Sequence, residues 1–157
     1  MTDSLSERVL LEIERRANQI DVSDADLGCS SLTVLRARRS LGESELPAVV
    51  IWEDGETVDS GSGSSASMTV SLQVTVEAHV VANSETTGIS LSTVKALVKA
   101  ALCIGNGAIG DDDGAIGTLT YVSAEAVPRP DGAASEAIAL RFTAKFKEAY
   151  GDPTRSK

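Results

Sequence analysis

His79 is the only histidine in the sequence, and a hydrolytic site built on it would need a serine or cysteine nucleophile and an orienting acid brought from elsewhere. No Gly-x-Ser-x-Gly elbow accompanies it. Its place in an alternating run puts it on the polar side of a strand, so an exposed surface histidine is the simpler expectation. Cys29 and Cys103 belong to no Cys-x-x-Cys pair, which leaves zinc and redox chemistry without support and makes both reduced thiols, Cys103 a small core residue. Asp111, Asp112 and Asp113 offer the carboxylate oxygens that hard cations prefer. A calcium loop, however, needs acids at alternate positions and a distal glutamate, which Ala115, Ile116 and Gly117 do not supply. A solvated acidic loop is expected, with weak or subunit-shared divalent binding as the alternative. Gly105-Asn-Gly-Ala-Ile-Gly110 matches the spacing of a dinucleotide-binding turn, yet its glycines follow a helical pattern and lead into the acidic run, so their amides would face carboxylates instead of a phosphate. No catalytic residue, metal ligand or cofactor is assigned.

The residues left for function are those that could meet another protein. Arg36, Arg38 and Arg39 form the one compact basic cluster in a chain with 14 Lys+Arg against 23 Asp+Glu, a formal charge of -9. They could pair with acidic segments of a neighbouring subunit, for which Glu53, Asp54, Asp59, Asp111, Asp112 and Asp113 are candidates. Trp52 beside Glu53 and Asp54 reads as a core residue or as an aromatic anchor of an interface. The acid excess argues against binding nucleic acid through its phosphates. No run of eighteen apolar residues offers a membrane helix, and the opening Met1-Thr-Asp-Ser-Leu-Ser-Glu-Arg8 does not read as a signal peptide. A cytoplasmic place of synthesis is the expectation.

The elements that must position these residues follow from periodicity. With 42% hydrophobic but only 3% aromatic residues, the core must be aliphatic. Leu5, Val9, Ile13, Ala17 and Ile20 at helical intervals predict an amphipathic helix over 4–20, with Asp3 or Ser4 as its cap and Glu7 three residues after Ser4. Residues 21–45 give no clear pattern. The run 46–53, entered by Pro47, predicts a strand ending at Asp54-Gly55. A polar, mobile hairpin loop over 55–67 follows, and then the two-residue alternation of Val70 to Val80. Leu91, Val94, Leu97, Val98, Ala101 and Leu102 predict a helix over 90–104, capped by Ser90 and stopped by a left-handed Gly105. A mobile loop over 105–117, a third strand over 118–127, a turn at Pro130-Asp-Gly132 and an alternating strand through Phe142 and Phe146 complete the pattern, with a frayed tail from Tyr150. The expected architecture is a single α+β domain over 1–157: a mainly antiparallel four-stranded sheet with two helices packed on one face, in the order α-β-β-α-β-β.

This order of elements, with Leu46-Pro-Ala-Val-Val-Ile-Trp52 as first strand, the Gly/Ser hairpin loop, and a last strand running Phe142-Thr-Ala-Lys-Phe-Lys-Glu-Ala-Tyr-Gly-Asp-Pro153, resembles the tail terminator (tail completion) proteins of long-tailed bacteriophages. The resemblance spans residues 5–153. It implies a non-enzymatic virion protein that forms a homo-oligomeric, usually hexameric, ring at the head-proximal end of the tail. Such a ring caps the tail tube, stops its polymerisation and provides the surface for head joining. The implied partners are further copies of the chain, the tail tube protein and a head–tail connector or neck protein, with no membrane and no sequence-specific nucleic acid, and with assembly in the host bacterial cytoplasm. A head completion or neck ring protein is the near alternative. A small enzyme or metal-dependent domain using His79 or Asp111 to Asp113 is the alternative of another class.

Overall fold

The computed structural model describes residues 3–25, 27–59, 66–82 and 87–156. In chain order its elements are α1 (Leu5–Asn18), β1 (Thr33–Arg36), β2 (Ala48–Val58), β3 (Ser67–Val81), α2 (Thr87–Leu102), β4 (Ala108–Asp111), β5 (Gly114–Val127), β6 (Ser135–Ala149) and β7 (Asp152–Ser156). The strands form one curled sheet in the spatial order β1-β2-β3-β6-β5-β4, with β7 added on β6. The expected four-stranded antiparallel sheet in the order α-β-β-α-β-β is therefore corrected to a seven-stranded mixed sheet. Among the described residues its one parallel pair is β1 with β2, Thr33 opposite Ala48 through Arg36 opposite Ile51.

The long strands behave as their alternation dictates. Val70, Leu72, Val74, Val76, Ala78 and Val80 are buried on one face of β3, and β6 pairs with that strand in unbroken register from Ser67–Ala149 to Val81–Ser135. Both helices pack on this face. Leu5, Val9, Leu10 and Ile13 of α1 and Val94, Val98 and Leu102 of α2 join Phe142, Leu140 and Phe146 in a single core. Of the two capping candidates, Ser4 caps α1, its hydroxyl accepting from the Glu7 amide at 3.2 Å.

Where the elements differ from expectation, the cause lies in short or glycine-rich segments. β1 is four half-buried residues with no alternation. β2 does not end at Asp54-Gly55 but crosses a bulge there and runs to Val58, while residues 60–65 of the expected mobile loop lie outside the described residues. α2 starts at Thr87, a turn before Ser90, although Gly105 does take the left-handed conformation beyond its end, at φ 63°. The expected loop over 105–117 contains the hairpin β4–β5, turning at Asp112 and Asp113. The expected frayed tail contains β7, which bonds to Glu148 and Ala149 beyond the point where β5 leaves β6 at Phe146.

One buried acid gives a stability prediction. Glu148 is 5% exposed on the helix-bearing side of β6, and burial, with Glu56 and Asp152 nearby, pushes its carboxyl above the ordinary carboxylate range. A carboxyl whose folded pKa exceeds its unfolded one stabilises the fold when protonated, and that contribution is lost as pH rises through the folded pKa. Glu148→Gln is therefore expected to raise Tm at pH 7 by roughly 2–4 °C, about 1 kcal/mol for a chain of this size. The gain should vanish below the unfolded carboxylate pKa, as thermal melts at the two pH values will show.

Candidate functional site

The face of the sheet away from the helices carries the outward side chains of β2, β3, β5 and β6. In β2 the register shift between Glu53 and Gly55 leaves Asp54 as the extra residue, and such a bulge re-aims the side chain it carries. The Asp54 carboxylate accepts from the Thr75 hydroxyl of the neighbouring strand. Trp52 lies opposite Thr75, and on the far side of the face Arg141 pairs with Glu125. These residues and Glu77 line a groove of about 320 Å³. Three acids and one arginine make it electronegative.

Around Glu77 lie polar atoms with unmet hydrogen bonds. His79 Nε2 stands 3.2 Å from Glu77 Oε2, and this contact, aided by the Trp52 indole N–H and the Arg129 charge, outweighs burial and holds the Glu77 carboxyl below its ordinary range. Trp52 Nε1, His79 Nδ1 and Arg129 Nε are buried without a hydrogen bond of normal geometry, although another nitrogen of Arg129 donates to the Ser135 hydroxyl at 3.1 Å. His79 corrects the sequence expectation: it is on the polar face but only 3% exposed. Its cross-strand neighbours are the small Ala48 and Ala137, and Ala48, Val50 and Ala137 on the same face are buried too.

The helix side uses its charges within the chain. Arg8 of α1 grips Asp111 with two hydrogen bonds of 2.6 and 2.7 Å and reaches Asp113 at 3.8 Å. Together these residues border a cleft of about 360 Å³ between α1 and the β4–β5 turn. Arg36 likewise holds Glu7 of α1, at 2.6 and 3.0 Å. The guanidinium in each pair keeps its carboxylate, Asp111 or Glu7, below the usual range. Asp59 accepts from the Ser71 hydroxyl at 3.0 Å and from Lys145 at 3.3 Å, while Asp112 and Glu53 are exposed.

Arg38 and Arg39 stand apart from both clusters. After Arg36 the chain turns at Ala37, whose φ of 50° is rare for a residue with a side chain. Its amide is tied to the Ile51 carbonyl at 2.9 Å. Arg38 meets Glu45 at 3.2 Å, and Arg39 is exposed with no partner among the described residues. Of the sequence-derived interface candidates the fold brings Trp52 and Asp54 into one groove, joins Arg36 to α1, and spreads the others. His79 and the three aspartates do not share a site. Thr75, Glu77, Glu125 and Arg141 were not singled out by sequence, although their polar alternation in β3, β5 and β6 marks an outward face.

Among the described residues, no group of three or more His, Cys, Asp and Glu side chains is placed to hold a metal ion, and no helix is long and apolar enough to cross a membrane. No family model matches the sequence, and no curated protein matches it. In fold the chain is similar to a chain of a solved structure, the virion of a native gene transfer agent particle. The TM-score is 0.62 at 17% sequence identity, over 92% of this chain and 98% of that chain.

Proposed function

We propose that this chain is a structural subunit of a phage-type particle and, more narrowly, a tail terminator. In this reading copies of the chain close into a ring, six by the family resemblance, on the last ring of the tail tube. The ring stops tube growth and presents its other side to a head–tail connector or neck protein. The observation that carries the reading is the fold shared over almost the whole length of both chains with a component of a gene transfer agent virion. Two features of the molecule support it. Among the described residues the outermost strands β1 and β4 each pair with a strand on one side only, which leaves edges that subunits can pair across. Charges of opposite sign also sit on different parts of the surface, the exposed Arg38–Arg39 turn and the acid-lined groove, and a head-to-tail contact joins two different patches.

The proposed role needs no bond-making chemistry and no cofactor, and it places the protein in the virion at the head-proximal end of the tail. Native mass spectrometry should give an assembly of roughly six times the 16.3 kDa chain, and electron microscopy a ring with a central hole. Addition to growing tail tubes should fix their length and label one end. A protein that stays monomeric at every concentration and leaves tube length unchanged overturns the reading. A ring that binds portal or neck assemblies but ignores tubes would move it to the head side of the joint.

A further inference from the structure

Two features of the surface complement each other, and each keeps exposed charge: Arg38 is 51% exposed beside Glu45, and Arg141 and Glu125 are both 56% exposed. One is the electronegative groove of Trp52, Asp54, Thr75, Glu77, Glu125 and Arg141 on the outer face. The other is the Arg38–Arg39 turn that leaves the sheet at its β1 edge. From this complementarity we propose that the Arg38–Arg39 turn of one copy docks into the outer-face groove of the next, forming the repeated contact of the assembly; the proposal rests on the ring reading above.

The groove suits a guanidinium. Asp54 is turned into it by the bulge and is held there only by the Thr75 hydroxyl. Glu125 is shared with an Arg141 that, like it, is 56% exposed, so an incoming arginine can compete for this carboxylate at small cost, because exposed ion pairs contribute little. Trp52 supplies an aromatic wall, and arginine stacks on indole faces as well as pairing with carboxylates. The donor suits the groove in turn. A left-handed alanine costs roughly 1–2 kcal/mol, and at Ala37 that strain turns the chain so that Arg38 and Arg39 stand exposed. Strain retained in a short surface turn points to a use outside the fold. The chain itself provides both halves on different patches, so the contact is head-to-tail and repeats until it closes. A chain of -9 needs such local attraction to set copies side by side.

Charge reversal tests the contact. In sedimentation experiments the loop variant Arg38→Glu/Arg39→Glu and the groove variant Asp54→Arg/Glu125→Arg should each require at least about tenfold more protein to assemble than wild type, the loss expected from close charge pairs. Each should keep the wild-type circular dichroism spectrum, since all four side chains are at the surface. Combining both reversals in one chain should restore assembly, and so should mixing the two variants, whose loops and grooves then match in alternation. Wild-type rings with both variants unimpaired overturn the docking contact and leave the ring reading standing. Wild-type protein that never assembles overturns both. Loss in the groove variant alone overturns the Arg38–Arg39 turn as occupant and assigns the groove to another segment of the neighbouring copy.

Discussion

Arg16→Met is expected to destabilise the fold by about 3–5 kcal/mol, the cost of removing one partner from a buried charge pair. For a chain of this length that is a fall in Tm of roughly 6–20 °C. Arg16 is 8% exposed and its partner Glu12 is 6% exposed. Its Nε donates to Glu12 at 2.7 Å, one terminal nitrogen to the Leu102 carbonyl at 2.9 Å, and the other to the Ala108 carbonyl at 2.5 Å. Leu102 ends α2, where the last carbonyls have no intrahelical partner and a cation is favoured, and Ala108 opens β4. One side chain thus ties α1, α2 and the β4–β5 hairpin together. Met fills much of the volume but leaves both carbonyls unmet and Glu12 with only Arg15, which is 57% exposed.

The pH dependence separates this account from simple loss of packing. Hydrogen bonds from Arg15 and Arg16 hold the Glu12 carboxyl below its ordinary pKa against the opposing effect of burial. Its contribution is therefore fully present above the unfolded pKa and lost as pH falls through the folded one. The deficit of Arg16→Met, measured by urea unfolding, should shrink as pH falls through that window. Adding Glu12→Gln at pH 7 should recover part of the loss, since the two residues act as a coupled pair. An equal deficit at pH 7 and pH 3 would overturn the charge-pair account.

Arg16 also shows where sequence reading runs out. α1 and β3 were legible because every second or every third and fourth residue buries an aliphatic side chain in one core. Glu12 and Arg16 lie on the same helix and read as ordinary surface charge; only the placement of α2 and β4 beside them, from more than eighty residues away, makes them interior. The strand predicted over 118–127 covers most of β5, but β4 and the first turn of the hairpin fall in the expected loop because they carry Gly110, Gly114 and Gly117, residues that punctuate loops in most sequences. Two of these glycines serve close backbone approach: a Cβ on Gly117 would stand 2.1 Å from the Lys145 carbonyl oxygen and one on Gly110 2.9 Å from that of Gly114, whereas Gly114 itself is there for its positive φ of 120°. β1 and β7 are edge strands of four and five residues, too short to show a period. The outer-face groove was half legible. The residue types of Trp52 and Asp54 point to an interface, but their union with Glu77, Glu125 and Arg141 depends on a strand order in which β6 comes between β3 and β5.

Gly107→Ala should cost roughly 2–5 kcal/mol, from a left-handed backbone at roughly 1–2 kcal/mol and overpacking at roughly 1–3 kcal/mol. Gly107 sits at φ 78°, and a Cβ there would stand 2.1 Å from the Leu119 carbonyl oxygen, an atom of β5 that cannot swing aside as a side-chain end could. Gly105, two residues earlier, is the natural control. Its φ of 63° is left-handed too, but nothing lies within 4 Å of where its Cβ would be, so Gly105→Ala should cost only the backbone share. The damage at 107 should also spread. Displacing the start of β4 moves Ala108, which Arg16 holds, and Asp111, which Arg8 holds, so hydrogen exchange should quicken across the hairpin and in α1 together. The glycine spacing that resembles a phosphate-binding turn thus has a structural cause, the passage of one backbone against another. Equal stabilities for Gly105→Ala and Gly107→Ala in urea unfolding would refute that cause.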